Sequence, residues 1–300
     1  MATVIELQNV TKVFNAGQPA VDNVTLQVQP GRAVACLGPN GAGKSTSISM
    51  MLGLLKPTSG TVKLFGGNPE SRHLHQRLGV MLQGVSVLDR LTVRETINLV
   101  RSYFANPLPI AHLLKVANLE NETDKLSTEL SGGQMRRLQF ALSLAGNPDV
   151  LFLDEPTVGM DFSSKQIFWQ ELRQFITEGK TLLLTTHDLH EADSMADRVV
   201  VIDHGKIIAD DSPEQLKMMY AGRQVSFVLG GDMPHEVINQ LPGVASFREE
   251  GRQIIIRTTN SDELITQVIK QNWDISDIQI SGGGLEDAYV RLIGEKEDKA

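Results

Sequence analysis

The sequence predicts an α/β fold, and three patterns carry that expectation. Short, near-continuous apolar runs ("AVACL" from Ala33, "VLFL" from Val150, "TLLLTT" from Thr181, "RVVVI" from Arg198) read as parallel strands buried on both faces and separated by helical periods. Ahead of them, roughly the first thirty residues alternate in strand fashion and close on the turn signal Pro30-Gly31, as an antiparallel β layer would. Beyond about Arg223 the order is strand, helix, strand, strand, helix, strand, which is that of a small α+β, ferredoxin-like unit.

Bulk composition narrows the class further. Three hundred residues with 41% hydrophobic content can bury a large core. A formal net charge of -8 and the lack of any Lys/Arg-rich run argue against nucleic acid as a partner. The one Cys, Cys36, excludes an intramolecular disulfide and a multi-Cys metal site; within "AVACL" it reads as a buried structural thiol rather than a nucleophile. No run approaches the 18 or so apolar residues of a membrane span, and "MATVIELQNV" lacks the features of a signal peptide. A cytoplasmic chain is therefore expected, with a membrane partner left open.

Along the chain, the strand "AVACL" runs into "GPNGAGKST", Gly38 to Thr46, followed by the helical run "SISMMLGLL". This strand–loop–helix context is what the G-x-x-x-x-G-K-[ST] pattern requires. Gly38, Asn40, Gly41, Gly43 and Thr46 belong to a loop whose backbone N–H groups wrap phosphate oxygens, Lys44 supplies a mobile charge to the β and γ phosphates, and the Ser45 hydroxyl suits Mg²⁺. From about 85 to 147 the apolar runs give way to helical periods ("VRETINLVRSYF", "IAHLLKVANL", "QMRRLQFALSLA"), which predicts an inserted helical subdomain.

The last of these helices opens on "LSGGQ". Met135, Leu138, Ala141, Leu142 and Ala145 recur at helical spacing, Ser131 is a good N-cap, and Gly146 then Pro148 make a stop. Gly132 and Gly133 thus sit at the positive end of a helix dipole, where bare N–H groups favour an anion. An ordinary capped helix after a flexible turn satisfies the same residues. The strand "VLFLDEP" then sets Asp154 and Glu155 at its carboxyl end, where ligands of open α/β sheets bind. Mg²⁺ held jointly with Ser45 would serve Asp154, and Glu155 can face an attacking water as general base. The competing strand-end salt bridge loses force once a phosphate loop shares the chain.

Taken in order, these motifs resemble the nucleotide-binding subunit of an ATP-binding cassette (ABC) transporter over about Thr3 to Leu216. The resemblance rests on the phosphate loop, a glutamine loop at Gln83 ("VMLQ"), the signature Leu130 to Gln134, "LFLDEP", a D-loop around Asp161 ("VGMD") and a switch histidine, His187, in "TTHD". It implies an ABC ATPase core with bound ATP and Mg²⁺, in which two copies, or this chain and a close paralogue, sandwich two ATPs head to tail. Ser131, Gly132, Gly133 and Gln134 would then hold the γ-phosphate of ATP on the partner subunit. By the same resemblance Gln83 contacts Mg²⁺ and signals to the membrane partner, Asp161 lies at the nucleotide, and His187 joins Glu155 and Lys44 as a catalytic group that orients water. Phe14 stands where the family commonly has an adenine-stacking Tyr; a plain core aromatic is the alternative.

The resemblance also implies integral membrane permease subunits as partners and a peripheral place on the cytoplasmic face of the inner (plasma) membrane. Within the family, "QMRRLQFALSLAGNPDVLFLDEPTVGMD" and "GGGLEDAYVRLIG" resemble ATPases of bacterial drug and polysaccharide exporters. An importer subunit, or a soluble ABC protein acting on ribosomes or DNA, are the other readings. The expected division is an ATPase domain at 1–221 and an accessory or dimerisation domain at 222–300. The latter's closing helix carries Leu285, Ala288, Tyr289 and Leu292 on one face, to dock on a neighbour or on its own sheet. The last half-dozen residues are expected to be disordered.

Overall fold

The computed structural model describes residues 3–14, 17–84, 89–231, 237–238, 241–258, 260–271 and 273–297. They divide between Asp210 and Asp211 into two compact units. In the first, β1 (Ile5–Val13), β2 (Pro19–Val28) and β4 (Ser59–Leu64) make an antiparallel sheet in the order β2-β1-β4. The inward residues Ile5, Leu7 and Val10 break strict alternation because Asn9, in left-handed backbone (φ 49), forms a bulge that returns Val10 to the core face. Sequence patterning missed β4, since only Leu64 of its six residues is fully buried and there is little apolar rhythm to read.

The larger sheet has the order β5-β6-β7-β3-β8-β9. Its strands are β3 (Ala33–Leu37), β5 (Leu78–Met81), β6 (Val150–Asp154), β7 (Thr181–Thr186), β8 (Arg198–Asp203) and β9 (Lys206–Asp211). From β5 to β8 the pairings are parallel, and β3, β6 and β7 are buried along their whole length, which explains their unbroken apolar runs. The edge strand β9, mostly half-exposed, left no such run and was not anticipated. Both sheets share one core with α1 (Lys44–Met51): Ile5, Val21, Val34, Cys36, Ile48, Phe152 and Val200 belong to a single cluster. Burial pushes the Cys36 thiol up to about 12, as suits a structural residue.

After the four-residue α2 (Arg72–His75), the helical region holds α3 (Val93–Arg101), α4 (Ile110–Ala117) and α5 (Gly132–Leu144). A capping box between Thr92 and Glu95 starts α3, and Leu138, Phe140, Ala141 and Leu144 are the buried apolar residues of α5, which packs against α3 and α4. The first residues of the expected helical insertion, 85–88, lie outside the described residues. Two further helices, α6 (Phe162–Thr177) and α7 (Leu189–Met195), alternate with β6, β7 and β8.

The second unit opens with α8 (Pro213–Leu216) and a π-turn at Lys217–Ala221. Its sheet has the order β11-β12-β10-β13, every pair antiparallel, from β10 (Arg223–Leu229), β11 (Val244–Glu250), β12 (Gln253–Thr258) and β13 (Ile275–Gly282). With α9 (Ser261–Lys270) it buries Val225, Phe227, Ile254, Ile256, Leu264 and Val268 as a separate core. The helix expected at "PHEVINQL" lies largely outside the described residues; Val237 and Ile238 are helical. The closing helix, α10 (Leu285–Glu297), buries Leu285, Ala288 and Leu292 and packs on α8 and the π-turn, which is why the second unit begins ahead of the division expected at 221/222. It runs to Glu297, into the tail expected to be disordered, because Glu and Lys sustain a helix.

Candidate active site

Four loops meet at one end of the large sheet because four parallel strands stop there. β3 leads into Gly38, β5 into Gln83, β6 into Glu155 and β7 into His187. Strand register fixes their relative height: Leu37 pairs with Thr186, and Asp154 with Thr185.

The phosphate loop ends at Gly43, which caps α1 in a left-handed conformation with no side-chain acceptor, and no acidic residue occupies the first turn. The N–H groups there are thus free of any competing carboxylate of their own helix. Lys44 is 7% exposed, and its Nζ donates to the carbonyls of Gly38 (2.7 Å) and Pro39 (3.1 Å). Asn40 and Gly41 are exposed at the tip, and Thr46 is half-buried.

Ser45 Oγ donates to Asp154 Oδ1 at 3.2 Å, across 109 residues of sequence, and Thr185 Oγ1 donates to the same oxygen at 2.5 Å. Asp154 is 3% exposed, and no described basic side chain forms an ion pair with it. A buried carboxylate bonded to neutral hydroxyls, one of them on the phosphate loop, is an all-oxygen donor set that fits a hard divalent cation such as Mg²⁺.

Glu155, 6% exposed, holds a positive φ of 50, a costly conformation for a non-glycine residue that persists only where the surroundings impose it. Here they do. Its N–H donates to Thr185 O and Oγ1 (both 3.1 Å), and its carbonyl accepts from Arg136 Nη2 at 3.1 Å. The side chain is thereby turned toward His187, whose Nδ1 lies 2.5 Å from Glu155 Oε2 while its ring stays largely exposed. Arg136 also reaches Val158 O, and burial pushes its guanidinium down from the ordinary value. A second carboxylate, Glu191, is buried nearby: it accepts from Thr157 Oγ1 (2.5 Å) and Thr186 Oγ1 (2.8 Å), with Lys165 Nζ at 3.5 Å.

At the signature, Ser131 caps α5 in a reciprocal box: its Oγ accepts from Gln134 N, and Gln134 Oε1 accepts from Ser131 N. Asp161 caps α6, and both of its oxygens are engaged by Ser163 Oγ, Ser164 N and Ser164 Oγ. Those bonds hold its carboxyl well below the usual range, the Ser163 hydroxyl contributing most.

The structure thus joins Ser45 to Asp154 and Glu155 to His187. It draws neither Phe14 nor Gln83 into those contacts. Phe14 is 49% exposed with the Lys12 ammonium 5.3 Å from its ring centroid, which removes the core-aromatic alternative; Gln83 is exposed beyond β5. Sequence reasoning missed Thr185, Arg136 and Glu191. Two consecutive hydroxyls closing the apolar run "TLLLTT" were the one signal for the first of them.

Comparison with known proteins gives the family. The profile of a family described as ABC transporter matches residues 21–158. The Nod factor export ATP-binding protein I of Burkholderia lata is 36% identical over 299 residues, spanning 97% of this chain and 97% of its own length. The protein of the same name from Rhizobium etli is 32% identical over 304 residues, spanning 99% and 95%. The chain belongs to the ABC transporter ATP-binding family. This ABC ATPase binds ATP and hydrolyses it. It is similar to a dimeric ATP-binding cassette captured after hydrolysis with ADP and Pi (28% identity, TM-score 0.64, 69% of this chain and 98% of that one). It is also similar to a Clostridium perfringens protein that is part of an ABC transporter complex (26% identity, TM-score 0.63, 72% and 91%). No described helix of the ABC ATPase is long and apolar enough to cross a membrane.

Proposed function

We propose that this ABC ATPase powers a membrane exporter from the cytoplasmic face of the inner membrane, closing with a second copy into a head-to-tail dimer around two ATPs. The observation that carries the dimer is the N-terminus of α5: Gly132 and Gly133 present N–H groups beyond the Ser131–Gln134 capping box, no acidic residue stands in the first turn, and a side chain at Gly132 would meet nothing within 4 Å. An anion from outside the chain suits that opening, and the γ-phosphate held by the partner copy supplies one. Export is supported by relatives that match nearly the whole chain and bear export names.

In this reading Gly38, Asn40, Gly41, Gly43 and Thr46 cradle the phosphates, and Lys44 turns its ammonium from the loop carbonyls to the β and γ oxygens. Ser45, Asp154 and Gln83 hold Mg²⁺, which when bound neutralises charge on those phosphates. Glu155 takes the proton of the attacking water, and His187, steadied by its bond to Glu155, faces the γ-phosphate. Gln134 fixes Ser131 for the partner's phosphate, Asp161 shapes the turn beside Gly133, and Phe14 offers its exposed face to adenine. The strand order of the second unit supports a ferredoxin-like accessory or dimerisation domain, and permease subunits select the cargo.

Glu155→Gln tests the core of the reading. It keeps the shape and removes the base, so ATP should still bind while hydrolysis falls about a hundredfold or more. Gel filtration with ATP and Mg²⁺ should show a nucleotide-trapped dimer. A monomeric variant with normal hydrolysis would sink the assignment, and copurification with a receptor-linked permease would overturn export.

A further inference from the structure

We infer that Glu191 is a positioning residue for hydrolysis, whose carboxylate fastens the turn bearing Glu155 to the turn bearing His187. The proposal rests on the catalytic reading of those two residues. They come from the ends of different strands, and their 2.5 Å contact requires both turns to keep their places. Glu191 grips each turn separately. Its Oε1 accepts from the hydroxyl of Thr157, two residues past Glu155, and its Oε2 from that of Thr186, immediately before His187.

A carboxylate suits this point because it accepts at both oxygens. Thr186 Oγ1 already accepts from Asp188 N, so its own proton is directed at Glu191, while the Thr157 proton takes the other oxygen at 2.5 Å. An amide keeps an oxygen at only one of these two positions, so Glu191→Gln forces one hydroxyl to turn and accept from an N–H or to lose its bond. Lys165, 3.5 Å from Glu191 and 3.8 Å from Asp188, supplies the positive charge that a carboxylate only 5% exposed needs. The residue is itself set by its helix: Asp188 caps α7 and accepts from the N–H of Glu191. Glu191 touches no reacting atom, so its effect passes through the Glu155–His187 pair, where displacements of about 0.5 Å already matter.

The test is a double-mutant cycle on the full chain with ATP and Mg²⁺, comparing Glu191→Gln alone and on the Glu155→Gln background. Alone, Glu191→Gln should lower kcat about tenfold or more while KM for ATP stays near that of the parent. On the Glu155→Gln background the same change should cost less than about twofold, because the positioned group is already gone. A parental kcat, or an equal fold-loss on both backgrounds, overturns the proposal; the latter is what a merely structural residue would give. If Glu191→Gln fails to fold, Thr157→Val and Thr186→Val, each removing one grip, are read by the same cycle. Normal hydrolysis by Glu155→Gln itself would sink the catalytic reading first, and this proposal with it.

Discussion

The phosphate loop and the signature are both glycine motifs at the start of a helix, yet their glycines answer to different demands. At Gly43 the backbone has φ 104 and an added Cβ would lie 2.3 Å from Ala20 O; at Gly38 it would lie 2.2 Å from Ile202 O. The chain cannot fold as it does with side chains there. At Gly132 an added Cβ meets nothing within 4 Å, and at Gly133 it makes an ordinary contact 3.6 Å from Asp161 Oδ2. Nothing in this chain's own packing demands those two. A glycine that the chain does not need for itself points to something that approaches from outside it.

The largest expected contrast breaks or upholds that argument directly. Gly43→Ala combines a strained φ with a clash on main chain, about 2–5 kcal/mol of destabilisation, and should abolish measurable nucleotide binding. Gly132→Ala should leave the unfolding free energy within about 1 kcal/mol, on the stabilising side because Ala favours a helix, while dimer hydrolysis falls about tenfold or more. Chemical denaturation and a fluorescent-nucleotide titration of both variants decide it. Equal destabilisation by the two changes would refute the distinction.

How far the sequence could be read follows the same line. The phosphate loop was legible because its residues are consecutive and its flanking strand and helix announce themselves. Asp154 was legible as a carboxylate closing an apolar strand, and the structure brings Ser45 to it across 109 residues. Thr185, Arg136 and Glu191 were not legible, because each acts through one hydrogen bond or a few set by strand register or helix packing, and a Thr, an Arg or a Glu carries no spacing rule of its own. Edge strands β4 and β9 escaped for the opposite reason: their exposure erases the apolar rhythm that betrays central strands.

A second, smaller contrast separates the cap of α5 from what the cap is for. Ser131→Asp should keep the N-cap, since Asp and Ser serve about equally there, and leave the unfolding midpoint nearly unchanged. It would place a carboxylate against the partner's γ-phosphate, so hydrolysis should fall about a hundredfold. Mixing this variant with Lys44→Ala sharpens the result. In a mixed dimer both lesions fall on one composite site and the other is intact, so part of the activity should return. Demonstrably mixed dimers that stay inactive would count against the head-to-tail arrangement, and normal hydrolysis by Ser131→Asp alone would place the phosphate elsewhere.

The smallest effect concerns the neighbouring helix, whose N-terminus is filled by the chain's own charge. Asp161 caps α6 with a carboxylate, where α5 is capped by a neutral hydroxyl. Hydrogen bonds from Ser163 Oγ, then Ser164 N and Ser164 Oγ, hold the Asp161 carboxyl well below the usual carboxylate range. A group depressed in the folded state adds stability that is complete above its unfolded value, about 3.9, and is lost as the pH falls from there through the folded value. The stability difference between the parent and Asp161→Asn, followed by urea midpoints, should therefore stay level from pH 7 to about pH 4.5 and shrink only below about pH 4. For Ser131→Ala, which loses a neutral cap worth about 1 kcal/mol, it should stay level throughout that range. A difference for Asp161→Asn that already vanished at pH 6 would mean that α6 is not held by a charged cap. The contrast between one helix end satisfied within the chain and one left for a phosphate would then fail at its smaller term.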